Sequence, residues 1–530
     1  MRLKSLSALK ICFLSLLILS LSFIIRAEEV KGLVFEDSNQ NLKLDDGEKG
    51  IQGVLVSNQL DVIKTGVDGR FALPVDDETV IFITKPSGYS VPLDKNNLPK
   101  FYYIHQPKGS PSLKYKGVDP TGPLPQQLYF PLFKTSESNK FEIIAFADPQ
   151  PQNLEEVDFI KDDVVAELIG TKSVFGITLG DIAFDELSTY DRYKKVVAQI
   201  GIPFYNVPGN HDENYDFPDD HYSLETFKSH FGPTYYSFDY GKVHFIALDD
   251  VEWQGINEKG NHRYRGLFGE KQLQWLKNDF AFIPQDKLIV LTMHVPINSI
   301  YATNDYERVV DRDKLFEILK NREHILLLAG HMHTIEHNFF GEESGWMGKN
   351  PLTQIILATV CGSWWGGPKD ERGIPIADQR DGTPNGYHII KFDGNQYSER
   401  FKPASRDANY QMRISAPIGK IKKEDFTTTS VIVNVFDGSD HSTVEFQIDN
   451  QPPIKMQKSF IEDPYSQRIF KEFKNKFKSW VKPCKSVCIW TAPLPPNLEP
   501  GFHKIKAKTT DEFGNSFSTA QIFEIVENHK

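Results

Sequence analysis

Five short stretches of the chain carry side chains able to hold a metal ion. They are Asp148-Pro-Gln150, Gly180-Asp181, Gly209-Asn210-His211-Asp212, His294, and Gly330-His331-Met-His333. Each candidate donor is a carboxylate, an amide oxygen or an imidazole nitrogen, and none is a thiolate. That set suits Mn²⁺, iron, Zn²⁺ or Mg²⁺. Taken singly, each stretch has a plain structural explanation. Asp148 could cap a helix, Gly180-Asp181 could be a turn, and His-x-His could be two solvated side chains. Their positions say more. Each stands where an apolar run ends: FEIIAFAD, VFGITLGD, IPFYNVPGNHD, LIVLTMH and HILLLAGHMH. In open α/β sheets that edge is where ligands bind. The joint reading is a metal site. Asp249-Asp250 also follow an apolar run (FIALDD) but match no ligand pattern, and they read as a strand-end turn.

The elements that must position these residues alternate between strand and helix over residues 141–400. NLEEVDFIKDDVVAELI places Leu154, Val157, Ile160, Val164 and Leu168 on one helical stripe. DRYKKVVAQI, GEKQLQWLKNDF and DRDKLFEILKN behave the same way, with apolar strand runs between them, so this part is an α/β domain. Residues 28–95 read as an all-β sandwich domain built from VKGLVFED, GVLVSN, RFALPV and TVIFITK. The piece TGVDGRFALP resembles a hairpin of transthyretin-like and collagen-adhesin-like sandwiches. Residues 96–140 are rich in Pro, Gly and Tyr and read as an extended connector. Residues 405–530 return to alternating strands, as in an immunoglobulin-like sandwich, with a partly helical insertion near 462–490. Within the first β domain, Asp37, Asn39, Asn41, Asp45 and Glu48 fall at EF-hand ligand spacing. They are a candidate calcium loop; the alternative is a solvated Asp/Asn turn, since Leu42 stands where such loops use Gly.

The 530 residues are 40% hydrophobic and 12% aromatic, enough for several cores. Residues 1–27 carry four basic groups and no acidic ones, and they contain the apolar run Ile11–Ile25. That is the layout of a secretory signal peptide, so the expected location is secreted or periplasmic, with no stable membrane span after its removal. The formal net charge is −11, or −15 without this segment. An acidic chain repels a polyphosphate backbone, which argues against nucleic acid as a general partner. Cys484 and Cys488 could close a small disulfide loop in an export compartment. Cys361 reads as a small buried hydrophobe.

In their order, these residues resemble the calcineurin-like metallophosphoesterase superfamily. Its pattern is Asp-x-His, Gly-Asp, Gly-Asn-His-Asp/Glu, a lone His, then Gly-His-x-His. GNHD and GHMH are the most specific pieces, and the match spans most of 141–335. DPQ, GSWWGGP (362–368), DGTPNGY (381–387) and IWTAPLPPNLEPGFH extend the resemblance to a secreted subgroup with β domains on both sides of the core. The resemblance implies a central pair of mixed sheets flanked by helices. It also implies two divalent ions that activate a water and clamp a phosphoryl group. Asp181 would bridge the two. Asp148, Gln150 and His333 go to one ion, and Asn210, His294 and His331 to the other. His211 would act at the leaving group, oriented by Asp185 or Asp212. Here the chain departs from the pattern, with Gln150 where His is usual, so the first ion is expected to be held weakly. Trp364, Trp365 and Tyr387 are either walls of the substrate pocket or core packing of a Gly-rich loop.

The expected substrate is a small phosphomonoester or phosphodiester, or a phosphodiester of the cell envelope. The rival reading is a metal-holding binding protein that hydrolyses little, suggested by Gln150 and the flanking sandwiches. His211 would have no purpose in such a protein.

Overall fold

The computed structural model describes residues 28–527; the apolar leader and Cys12 lie outside the described residues. Two mixed sheets form the middle of the chain. The first has the order Phe204–Val207, Gly176–Leu179, Lys140–Phe146, Gly386–Asp393, Gln396–Pro403. Its first three strands are parallel, Gly386–Asp393 runs against them, and Gln396–Pro403 runs against Gly386–Asp393. The second sheet has six strands: Tyr236–Tyr240, Val243–Ala247, Leu288–Thr292, Ile325–Ala329, Leu352–Ile356 and Glu336–Phe340. Its four central strands are parallel. Such strands are covered on both faces, which is why they read as unbroken apolar runs rather than alternating ones. LIVLT, for example, is wholly buried.

The helices cover the sheets much as their spacing predicts, with one correction. Leu154 is 54% exposed, whereas Val157, Ile160, Val164 and Leu168 are buried. Residues Lys161–Val165 form a π turn inside the Leu154–Leu168 helix. The first turn is instead set by Asn153, whose side chain caps Glu156 N.

The N-terminal β domain takes in more of the chain than its sequence pattern indicates. Tyr102–His105 and Leu128–Lys134, within the expected connector, are strands of its two four-stranded sheets. Leu128–Lys134 pairs in parallel with Glu28–Glu36. A parallel partner 96 residues away leaves no local turn signal. The domain shares a continuous apolar core with the two central sheets, through contacts such as Phe82 on Trp275 and Phe101 on Tyr236. The candidate calcium residues lie in one loop that closes on itself. Asn39 and Asn41 donate to Asp45 Oδ2, Leu42 N donates to Asp37, and Ser38 N to Glu48.

The C-terminal domain is a sandwich of a four-stranded and a five-stranded sheet with its own core. Helix Pro464–Glu472 opens its insertion. Cys484 and Cys488 are free, against the disulfide expectation. Cys488 lies within the strand Lys485–Pro493 and Cys484 immediately precedes it. Four residues of extended chain span about 13 Å, beyond the roughly 7 Å limit for a bridge. Among the described residues no helix is long and apolar enough to cross a membrane.

Candidate metal centre

Every sequence-predicted ligand comes from a loop at the carboxyl end of a parallel strand. Asp148 follows Lys140–Phe146, Asp181 follows Gly176–Leu179, and Asn210 follows Phe204–Val207. His294 follows Leu288–Thr292, while His331 and His333 follow Ile325–Ala329. The two sheets thus deliver their donors to one place. The loops turn sharply to do so. Asp148, Gln150, Asp181, Asp185, His331, His333, Trp364 and Trp365 all have positive φ, eight of the fourteen such non-glycine residues described. Side chains with Cβ seldom adopt that conformation, and such strain gathers at functional sites. Close approach explains two of the motif glycines. A Cβ at Gly180 would stand 2.5 Å from His294 Nδ1, and one at Gly209 would stand 2.3 Å from Asp181 N.

The tightest group surrounds His294 Nε2. It lies 3.0 Å from Asn210 Oδ1, 3.1 Å from His331 Nδ1 and 3.3 Å from Asp181 Oδ1. Donors bound to one ion at about 2.1 Å stand about 3.0–3.4 Å apart, so these residues fit a common ion. His294 is aimed by Leu179 O, which takes its Nδ1–H at 2.9 Å. Its backbone is held by Asp250, whose Oδ1 accepts from the N–H of His294 and Val295. Asp250 therefore does more than end a strand, and it marks a residue that the motif pattern misses.

The second group is looser. Asp148 accepts the His331 N–H, and its Oδ1 stands 3.6 Å from His333 Nε2. His333 Nδ1 donates to Gly362 O at 2.7 Å. Gln150 Nε2 donates to Asp181 Oδ2 at 2.6 Å, and its Oε1 lies 3.6 Å from Cys361 Sγ. In this orientation the amide braces Asp181. Cys361 is buried, and that burial, with Asp148 nearby, pushes its thiol well above its ordinary range. It offers no thiolate.

Charge in the site is arranged around a cation. Burial opposes charging His294, but Asp181 and Asp148 outweigh it and raise its pKa to about 10. Burial and the positive His294 hold His331 down to about 3, and burial does the same for His333. Against burial, His294 and His211 hold Asp181 below the usual carboxylate range.

His211 stands at the rim. Its backbone N–H donates to Asp181 Oδ1, and its Nδ1 meets Asp185 Oδ1 at 2.5 Å. Asp212 is turned away. It accepts from the N–H groups of Gly209, Ile182 and Ala183 and from the Tyr190 hydroxyl, clamping two loops together. Of the two carboxylates near in sequence, Asp185 is therefore the one that contacts the imidazole, and Asp212 does not.

Aromatic rings flank the histidines. Phe184 stacks on His211 at 4.3 Å, and Trp364 stacks on His333 at 3.9 Å. Trp365 and Tyr387 do not line the site. Trp365 is buried with its Nε1–H on Pro149 O, and Tyr387 packs on Phe146. Both rings belong to one buried apolar cluster, where Trp365 also packs on Phe159. A residue from the C-terminal domain takes part instead. Trp480, 54% exposed, lies 6.4 Å from Phe184 and 6.5 Å from Trp364. It is brought there by Lys478, which donates to Gln152 Oε1, and by Lys476 O, which accepts from Gly367 N. Phe184 follows the Gly180-Asp181 motif closely enough to be suspected from sequence. Nothing in the sequence points to Trp480.

Three family models match the chain in succession. They are the N terminal of Calcineurin-like phosphoesterase at residues 38–116, Calcineurin-like phosphoesterase at 141–334, and the C terminal of Calcineurin-like phosphoesterase at 355–517. A probable glycerophosphodiester phosphodiesterase GpdQ of Arcobacter nitrofigilis is 27% identical over 172 residues, which is 32% of this chain. The aligned part spans 59% of that relative's length. Among solved structures, a dimetal phosphatase from Danio rerio gives a TM-score of 0.36 at 16% identity, covering 50% of this chain and 96% of that one. Purple acid phosphatase PPD1 from yellow lupin gives 0.37 at 11% identity, covering 67% and 69%.

Proposed function

Because the chain belongs to the calcineurin-like phosphoesterase family, flanking domains included, we propose that it is a hydrolase that cleaves a phosphodiester at a two-ion centre. The observation that carries this reading is the set of donors spaced about 3 Å around His294 Nε2, with His211 beside it. Asn210, His294 and His331 would hold one ion, and Asp148 and His333 the other, with Asp181 shared and Gln150 beside it. Two such ions supply Lewis acidity toward the phosphoryl oxygens and a bound water acidic enough to attack at neutral pH.

The chain's own residues do the rest. Asp185 engages His211 Nδ1, which leaves Nε2 to protonate the departing oxygen or to face its developing charge. Tyr215 steadies this loop by donating to Asn210 O at 2.7 Å. Phe184, Trp364 and Trp480 offer apolar faces on either side of the histidines. Such walls suit a diester, which carries one negative charge and a second organic group. The similarity to a probable glycerophosphodiester phosphodiesterase supports the same choice. If residues 1–27 direct export, phosphodiesters of the cell envelope are the class the enzyme would meet.

The test compares bis-p-nitrophenyl phosphate with p-nitrophenyl phosphate, with Mn²⁺, Zn²⁺, Fe²⁺ or Mg²⁺ added in turn. The expected result is faster turnover of the diester. A tenfold or greater preference for the monoester would overturn the diester assignment, and no turnover of either by the metal-loaded protein would favour the binding-protein reading.

Gln150 makes the looser half of the centre the exchangeable one. A neutral amide is a poorer donor than imidazole, and here its nitrogen is turned to Asp181. One ion should therefore leave on dialysis, and activity should return with added Mn²⁺. Gln150→His should retain that ion, with affinity tightened about tenfold, the scale of changes near a metal shell. Two ions held through dialysis by the wild type, and no better by the variant, would refute this.

A further inference from the structure

A second convergence of carboxylates and imidazoles lies where the catalytic sheets meet the C-terminal sandwich. His337 is on the strand Glu336–Phe340, at the edge of the six-stranded sheet. Glu399 is on Gln396–Pro403, the edge of the five-stranded sheet. Asp437 follows the strand Ser430–Val435 of the C-terminal domain. One donor atom from each lies within 4.8 Å of the other two. His337 Nε2 is 2.8 Å from Asp437 Oδ1. None of the three belongs to the ligand set described above.

Carboxylates outnumber the imidazole in this cluster. Glu512 brings a third carboxylate, its Oε1 3.4 Å from His337 Nδ1. His388 is engaged on both ring nitrogens. Its Nε2 accepts the Ala358 N–H, so its single proton sits on Nδ1 and is given to Glu399 Oε1. Of these carboxylates His441 meets Glu512, and it does so from an exposed position. Three carboxylates thus face one buried imidazole. Glu399 is 3% exposed, and its Oε2 is buried with no hydrogen-bond partner. An unmatched buried carboxylate oxygen is costly.

We propose that His337, Glu399 and Asp437 bind a divalent transition ion of the Zn²⁺ type, which clips the C-terminal sandwich to both catalytic sheets. His337 Nε2, Asp437 Oδ1 and Glu399 Oε2 are the donors. The ion replaces the proton between His337 and Asp437. It also supplies the partner that Glu399 Oε2 lacks. Each donor residue already has the outer contact typical of metal ligands. Glu512 faces His337 Nδ1, the Phe401 N–H donates to Asp437 Oδ2 at 3.0 Å, and His388 holds Glu399 Oε1. One imidazole with two carboxylates is a donor set for Zn²⁺ or Mn²⁺ rather than for a soft ion. The clip would steady the domain that carries Trp480 to the rim of the centre.

The alternative occupant is a proton on Glu399. Burial and Asp437 raise that carboxyl to about 7, so a proton is available near neutrality. The two are separated by diffraction at the zinc edge, on crystals of the full chain stripped with chelator and reloaded with millimolar Zn²⁺ at neutral pH. The expected result is an anomalous peak among His337, Glu399 and Asp437, with peaks at the Asp181 centre as the loading control. Metal analysis should then find one ion fewer in Asp437→Asn and in Glu399→Gln, with diester turnover kept. No peak at this cluster in crystals loaded at the Asp181 centre overturns the proposal. So does an unchanged metal count in both variants.

Discussion

Asp181→Ala should lose most of its bound metal and nearly all turnover. Asp181 is buried where the two donor groups meet. Its Oδ1 stands 3.3 Å from His294 Nε2 and accepts the His211 N–H, while its Oδ2 takes the Gln150 amide. A single carboxylate thus touches candidate donors of both proposed ions and the backbone of His211. Removing it takes away the charge that offsets two cations and the acceptor that holds the His211 loop. Loss of an outer partner of a metal ligand costs about 10–100-fold, so loss of a shared ligand should exceed that. Asp181→Asn keeps the shape without the charge and should be nearly as inactive, which separates charge from packing. Metal analysis with diester turnover is the measurement. An Asp181→Ala protein that keeps two ions and its activity would exclude the bridging role.

The second large effect is at His211. Its imidazole is held by Asp185 on one nitrogen and by the face of Phe184, and none of the close donor contacts of the metal groups involves its ring. His211→Ala should therefore keep both ions while kcat falls by roughly 10²–10⁴, the usual range for general acid catalysis. The loss should be smaller for p-nitrophenyl esters than for alkyl esters, because a good leaving group needs less help. Asp185→Asn should fall between wild type and His211→Ala, and Asp212→Asn should instead lower stability, since Asp212 clamps backbone amides. Equal loss for all leaving groups would assign His211 to charge stabilisation. Loss of metal in His211→Ala would make it a ligand.

The candidate site residues were legible as strand-end residues in the chain for a physical reason. A strand buried on both faces must be apolar along its whole length, so its end is visible as the first polar residue. A ligand must sit at that end to be both held rigidly and open to a substrate. FEIIAFAD, VFGITLGD and LIVLTMH therefore announced Asp148, Asp181 and His294 as strand-end residues before any fold was known. The donor types then limited the chemistry to an N/O metal centre. Alternation likewise marked the C-terminal sandwich.

What the tertiary structure decided depends on contacts between residues far apart in sequence, or on which way a side chain turns within a loop. Asp185 and Asp212 are equally near His211 along the chain. Only the folded loops show that Asp212 is consumed by the amides of Gly209, Ile182 and Ala183. Trp364 and Trp365 are neighbours of one type and both have positive φ, yet one ring lies on His333 and the other in the core. Leu128–Lys134 becomes a sandwich strand through a parallel partner that leaves no turn signal. Trp480 and the His337–Glu399–Asp437 cluster join segments between 38 and more than 250 residues apart. Local pattern records whether a residue is buried and where an element stops. Which distant group it then meets is set by packing, and in this protein packing brings the C-terminal domain to the rim of the centre.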